Sequence, residues 1–332
     1  MKNLAIIGAG AWGTALAIVL APRFSRIRLW VYEEDLAVRM RHSRENDLYL
    51  PGYPLPTRVE PVGDLATALE GADTVLSVIP SHLVRGLYQR MLPFVTESML
   101  FVSATKGLEN ETLLRMSEVV QEVLQPRFAP RVAVISGPSF AKEVARFEPT
   151  ALVVASVDAA TAERVQAAFS GPTFRLYTSS DTIGVEFGGS IKNVVAVGAG
   201  VLHGLGLGHN AMAALITRGL AEMTRLAVAM GGRVQTMAGL AGLGDLVLTC
   251  TGDLSRNRAV GVELARGGKL DEIIRSMKTV AEGVKTTNAV VDLARRYAVE
   301  MPISEQMFQM LHFGISPRDA IQRLMERSLK GE

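Results

Sequence analysis

Short apolar runs alternate with amphipathic stretches through the first 180 residues of the 332-residue chain, and long helical periodicities fill the rest. Residues 4–7 form an apolar run that predicts a buried strand, and residues 14–20 have helix-forming character. Gly8, Gly10 and Gly13 stand between them. Residues 27–32 predict a second strand and 34–44 a helix. Residues 46–56 carry so many Pro and Gly breakers that they predict a loop. Asp64 is placed to N-cap a helix ending near Glu70. A strand is expected over 74–79, stopped by Pro80, and a helix over 83–91. The strand at 99–104 runs into Thr105-Lys106-Gly107, ahead of an amphipathic helix at 113–124. The strand at 132–135 ends in a second glycine turn, Ser136-Gly137-Pro138-Ser139-Phe140-Ala141. Strands at 151–155 and 174–177, with a helix at 161–169 between them, complete a sheet.

The strand–helix alternation stops near Ser180. Helical patterns follow at 183–203, 211–230, 245–250, 258–265, 270–275, 284–297, 304–313 and 317–329. The expected architecture is α/β: a mostly parallel, Rossmann-type sheet domain over 1–180 and an all-α domain over 181–332. The default site for chemistry in such a chain is the cleft between the two. Residues 193–217 carry no Lys, Arg, Asp or Glu, and Gly200, Gly204 and Gly208 repeat at a membrane-packing interval. His203, His209 and Asn210 interrupt this run, so two buried helices broken at 204–208 are expected rather than a membrane span.

A strand, a glycine turn and a helix in succession form the context of a dinucleotide site. Gly8 permits the tight turn, Gly10 leaves room for a pyrophosphate, and Gly13 lets the helix approach the strand. The first N–H groups of that helix lack intrahelical acceptors and favour an anion. Glu33 follows the second strand, where an acidic side chain accepts hydrogen bonds from adenosine ribose hydroxyls and repels a 2′-phosphate. A solvated acidic helix start is the plainer explanation for it. Lys106 lies at the carboxyl end of a central strand, where open parallel sheets bind ligands.

Lys192 lies in an otherwise apolar helix, where a charge is costly without a partner or a task. Gly188 and Gly189 leave an expected concavity beside it. Burial and a second cation both depress a lysine's pKa, which turns it into a proton acceptor near neutral pH. Pairing with Glu186 or reaching the surface are the alternatives. Asp245 and Thr249, four apart, share a helix face, and Asp245 is placed either to hold Lys192 or to cap a helix. Cys250 reads as buried filler. Ser255, Arg256 and Asn257 gather donors ahead of a helix, which fits either a phosphate or a solvated cap.

Composition narrows the partners. The balance of 35 Lys+Arg against 33 Asp+Glu, with no basic stripe carrying aromatics, argues against nucleic acid. One cysteine rules out an internal disulfide and fits a reducing compartment. No signal peptide is expected ahead of the first strand, and no metal site.

Taken together, the chain resembles bacterial NAD(P)-dependent glycerol-3-phosphate dehydrogenase over essentially its whole length. The matching stretches are residues 8–17, 104–109, 136–141, 192–193, 241–246 and 255–258, with Val280-Ala281-Glu282-Gly283 and Met301-Pro302-Ile303. The resemblance implies a helical domain like the C-terminal part of 6-phosphogluconate dehydrogenase. It also implies reversible hydride transfer between NAD(P)H and dihydroxyacetone phosphate, giving sn-glycerol 3-phosphate for glycerophospholipid synthesis in the cytoplasm. By resemblance, Lys192 exchanges the proton at C2, Lys106 binds substrate and cofactor, and Asp245 orients Lys192. Gly137, Ser139, Asn193, Thr249, Ser255, Arg256 and Asn257 hold the substrate, with Arg256 and Asn257 on the phosphate. Gly8, Gly10, Ala11, Trp12, Gly13, Tyr32, Glu33, Ala141, Arg256, Val280 and Glu282 line the cofactor. Ala11 replaces a serine of many relatives, and Tyr32-Glu33 occupy the place of the basic residue usual in NADPH users. NAD(H) is therefore expected, with NADP(H) as the alternative, and a homodimer is the assembly considered. A β-hydroxyacid dehydrogenase acting on a carboxylate and a non-catalytic NAD(H)-binding protein are the competing readings.

Overall fold

In the computed structural model, which describes residues 1–277, 282–329 and 331, strand β1 (Asn3–Ile7) lies inside an eight-stranded sheet. Its alternate side chains enter two apolar clusters: Leu4 and Ile6 join one, Ala5 and Ile7 the other. Both faces of the strand are covered, which is why its sequence is continuously apolar rather than alternating. Each large side chain buried this way contributes about 1.5–3 kcal/mol.

Along the chain, β2 (Arg26–Trp30), β3 (Glu45–Asn46), β4 (Leu50–Pro54), β5 (Val59–Val62) and β6 (Thr74–Ser77) follow. Then come β7 (Leu100–Ser103), β8 (Arg131–Ser136), β9 (Thr150–Ala155) and β10 (Phe174–Ser179). The sheet order is β10-β9-β8-β7-β6-β1-β2-β5, parallel except where β8 meets β9. β1 pairs with β2 on one side and β6 on the other, so strand order reverses there. The carboxyl ends at such a switch point are where open α/β sheets bind ligands.

Two elements depart from expectation. The stretch 46–56 is not a plain loop: β3 and β4 pair as an antiparallel ribbon, and Leu50 is fully buried. Strand β5 was concealed by Pro61. It lies at the sheet edge, bonded only to β2, where a residue without an N–H is tolerated. Other differences concern element ends. The helix expected from 113 begins at Met116, because Leu113 has φ 64° and Arg115 and Glu118 form a capping box. The second strand stops at Trp30, and the helix expected from 258 begins at Arg256. Asp64 caps its helix as expected, accepting from the Thr67 N–H at 2.8 Å.

The chain divides into two compact units, Met1–Lys106 with Leu114–Glu186, and Gly107–Leu113 with Phe187–Glu332. The second is helical. The helix Thr182–Gly204 is long and apolar enough to cross a membrane, yet its apolar window is wholly buried in the protein. Its glycines serve packing: a Cβ on Gly200 would lie 1.9 Å from the Arg258 carbonyl oxygen, in the helix Arg256–Ala265. The next long helix, His209–Ala229, starts after the expected break.

Candidate active site

The turn after β1 leads into the helix Ala11–Leu20. Gly8 has φ +118°, and a Cβ there would lie 2.4 Å from the Val78 carbonyl oxygen, beyond the end of β6. Only glycine satisfies both conditions. Gly13 lies against the Gly8 carbonyl, whereas a Cβ on Gly10 would meet nothing within 4 Å. Room at Gly10 and a helix start with no side-chain cap fit a dinucleotide pyrophosphate. Ala11, Trp12 and Ala141 pack, half-buried, against the same apolar cluster. Ala141 opens the helix Ala141–Ala145 after the second glycine turn.

Glu33 is half-buried just past β2. Its carboxylate accepts the Tyr49 O–H at 2.7 Å. Burial, then that hydrogen bond, push the Tyr49 phenol up to about 12, so it stays protonated and donates. Tyr32 is exposed, its ring edge-on to Trp30.

Lys106 follows β7 and donates from Nζ to the Gly137 carbonyl at 3.2 Å. The Ser139 hydroxyl donates to the same oxygen at 2.9 Å. Lys106, Gly137 and Ser139, expected to share a ligand, are thus neighbours in the first unit.

In the second unit, the Lys192 ammonium donates to Asp245 Oδ1, and to Thr249 Oγ1 at 2.8 Å. All three side chains are buried, Asp245 completely. Thr249 returns its own proton to the Asp245 backbone carbonyl at 2.6 Å, which leaves its oxygen to accept from Lys192. Asp245 opens the helix Asp245–Thr251 without capping it. The concavity expected at Gly188 is filled. A Cβ there would lie 2.2 Å from the Ala241 carbonyl, so the glycine admits the Leu240–Gly244 turn that delivers Asp245 to Lys192. The Glu186 carboxylate takes Arg115 at 2.7 Å and the Ser117 N–H at 2.8 Å. Burial still pushes Glu186 above the usual carboxylate range, against the pull of Arg115 and Ser117. Burial also pushes the Cys250 thiol up to about 12, which suits filler and not a nucleophile.

Ser255 caps the helix Arg256–Ala265, accepting the Arg258 N–H at 3.3 Å. Arg256 is exposed, while Asn257 is buried. The Asn257 amide donates to Asn193 Oδ1 at 2.9 Å, and its oxygen accepts the Gly283 N–H at 2.9 Å. Glu282 opens the helix Glu282–Arg296, and Val280 lies outside the described residues. Two polar side chains here escaped the sequence reading, Asn46 and Tyr49. Both sit in the stretch 46–56, whose breakers carried no hint of buried chemistry. Among the described residues, no group of three His, Cys, Asp or Glu side chains forms a metal site.

Comparison with known proteins brings the two units under one description. The family model described as NAD-dependent glycerol-3-phosphate dehydrogenase N-terminus matches residues 3–162, and that described as the C-terminus of the same matches 181–322. A Koribacter versatilis protein named glycerol-3-phosphate dehydrogenase [NAD(P)+] is 58% identical over 98% of both chains. One of the same name from Citrifermentans bemidjiense is 54% identical over 100% of this chain and 99% of its own. The crystal structure of a glycerol-3-phosphate dehydrogenase from Coxiella burnetii superimposes with a TM-score of 0.93 at 43% identity, covering 98% and 99% of the two chains.

Proposed function

We propose, on the premise that this chain belongs to the NAD-dependent glycerol-3-phosphate dehydrogenase family, that Lys192 exchanges the proton at the C2 oxygen of its substrate. Membership makes the chain an NAD(P)-dependent oxidoreductase with small-molecule substrates. The reaction is reversible hydride transfer at C2 between dihydroxyacetone phosphate and sn-glycerol 3-phosphate, the backbone for glycerophospholipid synthesis. The nicotinamide dinucleotide supplies or receives the hydride. The observation that carries the proton assignment is the buried Lys192 ammonium held by Asp245 and Thr249.

In the direction of reduction, Lys192 gives a proton to the C2 oxygen as that carbon gains hydride. In oxidation it takes the proton back. Asp245 and Thr249 fix the position of the ammonium and balance its charge. Lys106, steadied by the Gly137 carbonyl, binds substrate and cofactor alongside Ser139. Arg256 takes the phosphate in a charge-assisted contact, with Asn257 and Ser255 beside it at the helix start. Asn193 is held against Asn257 and contributes to the same pocket. Gly8, Gly10 and Gly13 cradle the pyrophosphate, and Ala11, Trp12 and Ala141 line the dinucleotide. Glu33 takes the adenosine ribose, which favours NADH over the 2′-phosphate of NADPH. A cytoplasmic setting goes with the lone, buried Cys250.

The test is a substrate panel run with NADH and with NADPH. Dihydroxyacetone phosphate should drive NADH oxidation, with kcat/KM for NADH at least equal to that for NADPH. Turnover only with carboxylate substrates would replace this reading with a β-hydroxyacid dehydrogenase. NADH binding without oxidation by any substrate would leave a dinucleotide-binding protein. A strong NADPH preference would remove Glu33 from the ribose.

A further inference from the structure

The ribbon formed by β3 and β4 has no part in the eight-stranded sheet, yet one fully buried side chain ties it to the glycine turn. Asn46 Nδ2 donates to the Ala9 carbonyl at 2.7 Å and to Thr14 Oγ1 at 2.8 Å. Its Oδ1 accepts the Tyr49 N–H at 3.0 Å, which shapes the turn between the two strands. The same turn carries the Tyr49 hydroxyl to Glu33 Oε1 at 2.7 Å. A second tie fixes the turn from outside: Arg39, on the helix Glu34–Ser43, reaches Asp47 at 3.0 Å. Two anchors therefore position the hydroxyl that meets the Glu33 carboxylate.

We propose that Tyr49 is a specificity-determining residue: by holding Glu33 in one rotamer, it sets the discrimination between the ribose 2′-hydroxyl of NADH and the 2′-phosphate of NADPH. The inference rests on the reading of Glu33 as the ribose ligand. With Oε1 occupied by Tyr49, Oε2 is presented to the ribose hydroxyls. A carboxylate fixed in this way accepts from a hydroxyl at no cost of reorientation and cannot swing aside for a dianion. The phenol remains a donor across the working pH range, because burial and the carboxylate both oppose its ionisation. Tyr49 touches no reacting atom, so its effect falls on cofactor affinity and not on the chemical step.

Tyr49→Phe keeps the ring and deletes the tether. It should raise the KM for NADH about fivefold, with kcat changed less than twofold and the KM for dihydroxyacetone phosphate unmoved. NADPH should gain or hold, so that the NADH/NADPH ratio of kcat/KM falls about fivefold or more. Tyr53→Phe, in the same ribbon, should change neither cofactor's KM and controls for general loosening. Glu33→Ala and the double variant separate the failures. If Glu33→Ala shifts the ratio and Tyr49→Phe adds nothing on top of it, the tether stands. If Glu33→Ala shifts the ratio but Tyr49→Phe does not, or acts equally without Glu33, the tether is overturned and the ribose reading survives. If Glu33→Ala leaves the ratio unchanged, the ribose reading fails and takes the inference with it.

Discussion

The dinucleotide turn draws its geometry from six consecutive residues, Gly8 to Gly13, whereas the Lys192 cluster joins side chains 53 and 57 positions apart. In the first, the proposed binding groups are backbone N–H groups and empty space, and a single motif states both. In the second, the polar groups are side chains, and what brings them together is a contact between backbones at Gly188 and Ala241. A local site is written in a motif. A distributed site is written in the packing that closes it.

Breaking each region separately should sharpen that contrast. The largest effect belongs to Lys192→Ala, which removes the proposed proton donor and should lower kcat by about 10⁴-fold. NADH binding, followed by fluorescence quenching, should survive, and a turnover near that of the parent would end the assignment of Lys192. Gly188→Ala places a Cβ 2.2 Å from the Ala241 carbonyl and pushes the Asp245 turn away. A displacement of about 1 Å at the reacting groups costs about 100-fold in kcat. NADH affinity should hold. Gly8→Ala should do the reverse, with affinity for NADH collapsing first, in a titration that needs no substrate.

A smaller effect, on stability alone, tests the ion pair that Arg115 makes with Glu186 of the helix Thr182–Gly204. Arg115→Met removes the Arg115 guanidinium from the buried Glu186 carboxylate and should cost about 3 kcal/mol at pH 8. The sign of the pH dependence follows from the raised Glu186 pKa. A carboxyl whose folded pKa is raised favours the folded state most below its ordinary value, and this contribution is lost as pH rises through the raised one. Urea melts at pH 5 and pH 8 should therefore show a smaller deficit for Arg115→Met at pH 5. Equal deficits would mean that Glu186 does not take up a proton. Smallest of all is Cys250. With its thiol at about 12 and buried, alkylation by iodoacetamide at pH 8 should be negligible in the native enzyme and fast in denaturant.

The same contrast explains what the sequence disclosed. The alternation of strands and helices, the change near Ser180 and the glycine turn are local patterns, and they were legible. Lys192, Asp245 and Thr249 were recognisable one by one, because a charge in an apolar helix and an i, i+4 polar pair stand out. That Asp245 holds Lys192 was one of two readings the residues left open, and they could not decide it, since the glycine that permits the meeting looks like a vacancy until the Ala241 carbonyl is seen filling it. The ribbon at 45–54 was missed for the opposite reason. Its prolines and glycines are strong local signals for a loop, and they outweighed the burial of Asn46, which depends on the glycine turn lying beside it.

The buried helix Thr182–Gly204 also has a consequence for how the protein is made. It leaves the ribosome before the helices that cover it, which end roughly a hundred residues later, a delay of about 10 s at typical elongation rates. During that interval a segment as greasy as a membrane anchor stands naked in water. Newly made chains should then depend on holdase protection, and renaturation in vitro should reward dilution, with yield falling steeply as chains meet one another through this stretch before their own helices arrive.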